Sequence, residues 1–130
     1  MEKPKLLIVA GPNGSGKTSV TSKILKGYFI RLFFIGTDHP RINAARIAHR
    51  VMMGVHDVPI SKIVNRYSKS IINCNLLVPV VDRLYVYDNS VDDVFPQLLF
   101  RASDGKLTKQ YAPINDWAKI IFQTTFVNTQ

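Results

Sequence analysis

The chain has 130 residues, enough for one domain around one core, and 46% of them are hydrophobic, which excludes a wholly disordered chain. No apolar run approaches the roughly 18 residues of a membrane span. The single cysteine, Cys74, excludes an internal disulfide or a multi-cysteine metal site. The net charge of +8 suits a phosphorylated small molecule, an anionic surface or nucleic acid. Its 17 Lys and Arg are scattered, with one looser concentration at Arg41, Arg46, Arg50, Lys62 and Arg66. Nucleic acid is therefore disfavoured, and most of these cations read as solvated surface.

The N-terminal lysines followed by Leu6–Ala10 superficially suggest a signal peptide. The apolar stretch is too short for one, and it runs into glycines without a cleavage site of small residues. A cytoplasmic protein is expected. Lys5–Ala10, KLLIVA, instead reads as a strand buried on both faces, as in parallel sheets. After the glycines, Lys17–Lys26 carries Val20, Ile24 and Leu25 at helical spacing, and Gly27 stands where a helix-terminating glycine belongs. Tyr28–Gly36 is rich in aromatics and isoleucine and predicts a second strand, which completes a strand–loop–helix–strand unit.

Arg41–Met53 predicts a helix closed by Gly54, and Pro59 suits the first turn of the next. In that helix Ile60, Ile63, Val64, Tyr67 and Ile71 make one apolar stripe. Asn75–Val81 is ambiguous because Pro79 would interrupt a helix. Arg83–Tyr87 alternates as a strand does. Leu98–Ala102 and Leu107–Tyr111 flank Asp104-Gly105, a strong hairpin signal. Ile114–Phe122 predicts a last helix that frays into polar residues. The order of elements predicts a single α/β domain with an appended antiparallel hairpin.

One motif carries chemistry. GPNGSGKT sets Gly11, Gly16, Lys17 and Thr18 in the pattern G-x-x-x-x-G-K-[ST] of a phosphate-binding loop. The backbone must leave a buried strand, wrap its N–H groups around a phosphate and enter a helix. Glycine permits the positive φ angles and close approach this requires, and Gly14 adds a third such position. Four fixed positions match by chance in such a chain on the order of 1% of the time or less, and a strand before and a helix after sharpen the match. The spacing is not that of a dinucleotide fingerprint. The expected nucleotide site is Gly11, Pro12, Asn13, Gly14, Ser15, Gly16, Lys17, Thr18 and Ser19. Lys17 would reach the β- and γ-phosphates of ATP or GTP, and the Thr18 hydroxyl would ligate Mg²⁺.

Arg46 and Arg50 lie four apart, on one face of a helix, and Arg66 lies on the next. Arginines brought over a phosphate stabilise phosphoryl transfer, and a helix–loop–helix bearing them would act as a lid. The competing reading is two surface helices with basic outer faces. His49 and His56 have no metal-ligand spacing, and no nucleophile motif is present. Asp38 and Asp88 each end an apolar stretch and could hold Mg²⁺ through water; Asp88-Asn89-Ser90 looks more like a strand-to-loop turn.

LLIVAGPNGSGKTS, GYFIRLFFIGTDHPRINAARIAHRV, HDVPISKIVNRYSKSI and VDRLYVYDNS together resemble the zeta-toxin family of P-loop kinases, in particular its compact bacterial members described as predicted ABC-type ATPases. The likeness spans Lys5 to Trp117, and R-V-x-x-G-x-H-x-V-P followed by R-Y is far more specific than the phosphate loop. It implies a P-loop NTPase fold of kinase type, a parallel sheet flanked by helices. It also implies transfer of a γ-phosphate to a small hydroxyl acceptor such as UDP-N-acetylglucosamine, and it raises an antitoxin-like protein partner. By matching position, Lys17, Arg50 and Arg66 become the catalytic cations, and Asp88–Ser90 would lie near the nucleotide base. Two departures stand out. In the family a sizeable segment, carrying the acidic general base and the sugar-nucleotide pocket, separates the phosphate-loop helix from the following strand; here Lys26 meets Gly27 directly. Val55 also replaces a second glycine in the lid loop. A form lacking that segment is expected to keep phosphate binding and lose transfer, acting as a nucleotide-binding module in a complex. Sheet edges left by missing strands could be covered by strand exchange between copies, an idea that a strictly monomeric mass in light scattering would count against.

Overall fold

The computed structural model describes residues 3–11, 27–52 and 60–129. Within them, β1 (Lys5–Ala10), β2 (Phe29–Gly36), β3 (Arg83–Asp88), β4 (Gln97–Ser103) and β5 (Lys106–Gln110) form one sheet in that spatial order. β1, β2 and β3 are parallel, and β4 and β5 continue the sheet antiparallel. The helices are α1 (Pro40–Met52), α2 (Ile60–Leu77) and α3 (Lys119–Thr129), the last preceded by a 3₁₀ turn at Asp116–Ala118. This is the expected α/β domain with an antiparallel hairpin. No helix among the described residues is long and apolar enough to cross a membrane.

The hairpin forms for the reason its turn residues suggest. Asp104 and Gly105 take φ values of 53° and 79°, the positive pair that a two-residue turn needs to match strand twist. Gly27 also has a positive φ, 95°, and the helix it is expected to terminate lies outside the described residues.

Strand residues alternate between two environments. Ile30, Leu32 and Phe34 of β2, Leu84 and Val86 of β3, and Phe100 and Ala102 of β4 are buried against Cys74 and Val78 at the end of α2, and Trp117, Ala118 and Ile121. The opposite face does not join this core. β1 corrects an expectation: it is not buried on both faces. It pairs only with β2, at the sheet edge, and Leu7 and Val9 are 61% and 63% exposed. Its apolar run is that of an interior parallel strand, but no second neighbour stands beside it among the described residues.

Two helix ends also differ from expectation. α2 continues through Cys74 to Leu77, because Pro79 falls beyond its last residue, where a missing N–H costs nothing. Val80 and Val81 then close the turn by donating to the Leu77 carbonyl at 2.9 and 3.0 Å. α3 starts later and runs further than predicted. Its polar residues are held by tertiary contacts: Thr125 is fully buried, and Thr124 Oγ1 donates to Asn75 Oδ1 of α2 at 2.7 Å. Packing of this kind outweighs weak local propensity.

Candidate functional site at the carboxyl ends of the parallel strands

Three parallel strands end side by side at Ala10, Gly36 and Asp88, and the segments leaving them form a crest. In α/β sheets this edge is where ligands bind. Gly11 is the first residue beyond β1, and a Cβ there would lie 2.5 Å from the Ile35 carbonyl oxygen. Its glycine is needed for close approach to β2, not for a positive φ, since it is not among the positive-φ residues. The rest of the phosphate loop, Pro12 to Ser19 with Lys17 and Thr18, lies outside the described residues.

The crest is tied together by hydrogen bonds. Asp88 Oδ1 accepts from Trp117 Nε1 at 2.9 Å and Ser90 Oγ at 2.7 Å, and Asp88 Oδ2 accepts from Ser90 N at 3.2 Å. Asp88-Asn89-Ser90 is thus the turn its sequence suggests, and both oxygens of its carboxylate are engaged. The Asp38 N–H donates to Ser90 Oγ at 2.9 Å, while Asp38 Oδ1 accepts from Asn115 Nδ2 at 2.8 Å. The Asp38 side chain is the more exposed of the two. The Tyr67 hydroxyl of α2 donates to the Thr37 carbonyl at 2.7 Å and fastens α2 to the end of β2. Burial, then the charges of Asp38 and Asp88, push the Tyr67 hydroxyl above its usual pKa.

Trp117 has a role that sequence reading misses. A Cβ at position 36 would overlap its ring, so only glycine lets the indole lie over the end of β2 and reach Asp88. Asn43 was missed too. It is buried and accepts from Thr37 Oγ1 at 3.1 Å, yet its Nδ2 has no hydrogen-bond partner among the described residues. An unmade buried bond of this kind costs about 1–3 kcal/mol. The only sequence signal was its place one turn into a helix beside the crest.

The arginine cluster divides. Arg46 does not stand over the crest as a spare cation. Its Nε donates to Asp92 Oδ1 at 2.9 Å and its Nη2 to the Asn89 carbonyl at 2.7 Å, clamping α1 to the loop after β3. Beside this clamp is a groove of about 530 Å³ lined in part by Val91, Asp93 and the exposed Phe95. Arg66 is exposed on α2 without an ion pair among the described residues. Arg50 falls within α1. His49 is exposed, His56 and Val55 lie outside the described residues, and no group of three or more His, Cys, Asp or Glu gathers among those described. Cys74 is buried and its thiol is pushed well above the usual range, so it is a core side chain and not a nucleophile.

The class these features define is an α/β domain with a five-stranded mixed sheet and a polar crest at the carboxyl ends of its parallel strands. No family model matches this chain, and neither does any curated protein or solved structure.

Proposed function

We propose that the chain binds a nucleoside triphosphate, ATP or GTP, through Gly11–Ser19, and that it is a P-loop phosphotransferase of the zeta-toxin type. The observation that carries this reading is the passage of a parallel strand directly into Gly11 of GPNGSGKT, at the sheet edge where phosphate loops operate. Lys17 and the loop amides would hold the phosphates, with Arg50 and Arg66 supplying further positive charge. Mg²⁺, when bound, neutralises charge between the β- and γ-phosphates. Thr18 would hold it. Of the crest carboxylates Asp38, more exposed and with one side-chain donor, suits an outer role through water better than Asp88, which already accepts from three protein donors. The acceptor would be a small hydroxyl compound, a sugar nucleotide by resemblance.

A specific observation favours a second reading, a nucleotide-binding module without transfer. The resemblance expects a segment with further strands between the phosphate-loop helix and β2, and among the described residues β1 pairs with β2 alone and leaves its other edge without a neighbour. With the segment goes the general base, and the described crest offers no substitute beyond Asp38.

Calorimetric titration with ATP·Mg²⁺, with Lys17→Ala as control, tests the shared part. Binding that disappears in the variant is expected, whereas absence of binding in both proteins ends the nucleotide reading. Radiolabelled transfer to UDP-N-acetylglucosamine then separates the two. Robust turnover by the 130-residue chain would support the phosphotransferase and rule out the module, whereas nucleotide binding with little or no product would favour the module.

A further inference from the structure

The cations that look scattered along the sequence are ordered by the sheet. Lys5, Arg31, Arg83, Arg101, Lys106 and Lys109 are all the lysines and arginines in the five strands, and the register puts every one on the face away from the core. No strand residue on that face is acidic. Aromatic rings stand among the cations: Phe29, Phe33, Tyr85 and Tyr87 share the same face.

The arrangement has direction. One row across the strands reads Leu7, Arg31, Arg83, Ser103, Lys106, and the next reads Val9, Phe33, Tyr85, Arg101, Lys109. Steps along a row are about 4.8 Å, and the rows are about 6.6 Å apart. Arg31 and Arg83 are direct neighbours, and both guanidinium groups lie over the Phe29 ring, at 5.6 and 5.2 Å from its centroid. Phe33 and Tyr85 stack at 4.6 Å with planes 7° apart. Arg83 donates through Nη1 to the Asp82 carbonyl at 2.8 Å and pairs with the largely exposed Asp104 at 3.9 Å.

Like charges directly across a strand pair oppose folding. A solvated sheet face normally mixes both signs, so a row of cations with a single long ion pair, beside a row of rings, is complementary to a polyanion that also carries flat bases. We infer that this face binds single-stranded nucleic acid, with phosphates along the Arg31–Arg83–Lys106 row and bases against Phe33 and Tyr85. Sheet platforms that combine cations with stacking rings bind single strands in this way. A lipid surface would use the charges but has no need of the rings. The site is separate from the phosphate loop and stands whether or not that loop binds nucleotide.

The test is fluorescence anisotropy with labelled single-stranded DNA and RNA of about 12 nucleotides, over about 50–200 mM salt. Binding is expected to weaken steeply with salt and to survive Lys17→Ala unchanged. Arg31→Ala with Arg83→Ala should weaken it at least about tenfold and lower the salt slope by about two. Lys106→Ala with Lys109→Ala, on the hairpin and away from the core, should do the same if the first pair disturbs folding. Tyr85→Leu should weaken binding about tenfold and leave the salt slope unchanged. Absence of binding at low salt, or binding indifferent to both double variants, overturns the inference. So does binding that ignores Tyr85→Leu and is displaced equally by phosphatidylglycerol vesicles or heparin, which would mark charge attraction alone.

Discussion

The two faces of the sheet are made from the same strands and have opposite chemistry. On one, Ile30, Leu32, Phe34, Leu84, Val86 and Phe100 are sealed under helices, and no strand cation intrudes. On the other, every strand cation and four aromatic rings are gathered, with Leu7 and Val9 left in solvent. Period-two alternation alone divides the residues this way. The difference teaches that the buried core of the described residues lies on one face, while the second keeps polar and aromatic side chains that the core does not use.

Neighbouring phenylalanines give the most direct way to break that comparison. Phe34→Ala, on the sealed face, should cost about 3–5 kcal/mol in urea denaturation, near the whole stability of a small domain. Phe33→Ala, next to it on the cationic face, should cost less than half as much, because its ring is only half-buried. Equal losses would mean that the second face is also core.

A smaller effect tests the crest, where the sealed face meets the strand ends. Gly36→Ala places a methyl group into the Trp117 ring and should cost about 1–3 kcal/mol. Trp117 is the only tryptophan, so its emission should shift to the red as the indole leaves Asp88. Unchanged emission would show that the indole does not depend on Gly36.

The smallest effect concerns the link from α2 to β2. Tyr67→Phe removes the hydroxyl that donates to Thr37 and should cost about 1 kcal/mol at neutral pH. Because the folded state raises the Tyr67 pKa, its contribution is intact below the unfolded value of about 10 and is lost as pH rises through the folded value. Thermal melts above pH 10 should therefore fall less steeply for Tyr67→Phe than for the parent chain. Parallel slopes would show that another group governs the alkaline limb.

Much of the architecture was legible because local chemistry and tertiary packing agree. Asp104-Gly105 could make only a tight turn, Tyr28–Gly36 and Arg83–Tyr87 had strand composition, and the stripe through Ile63, Tyr67 and Ile71 led into buried Cys74. The helix ends were less legible. Pro79 acts only from beyond Leu77, and the polar end of α3 is helical because Thr125 is buried and Thr124 bonds to Asn75 of α2.

The candidate site divides in the same manner. The phosphate-loop motif is contiguous, so its spacing was visible from Gly11 to Thr18. Trp117, Asn43 and the pairing of Arg46 with Asp92 join positions tens of residues apart or depend on burial, and no local pattern announces them.

By itself the sequence determined the strands, the hairpin and the presence of the described helices, since each depends on neighbours within a few residues of chain, and it displays a phosphate-loop motif. Only the tertiary structure decided that KLLIVA is an edge strand, that the Trp117 indole rests on Gly36, and that six dispersed cations share one face. Those facts follow from strand order and register, which bring together residues that the chain itself keeps far apart.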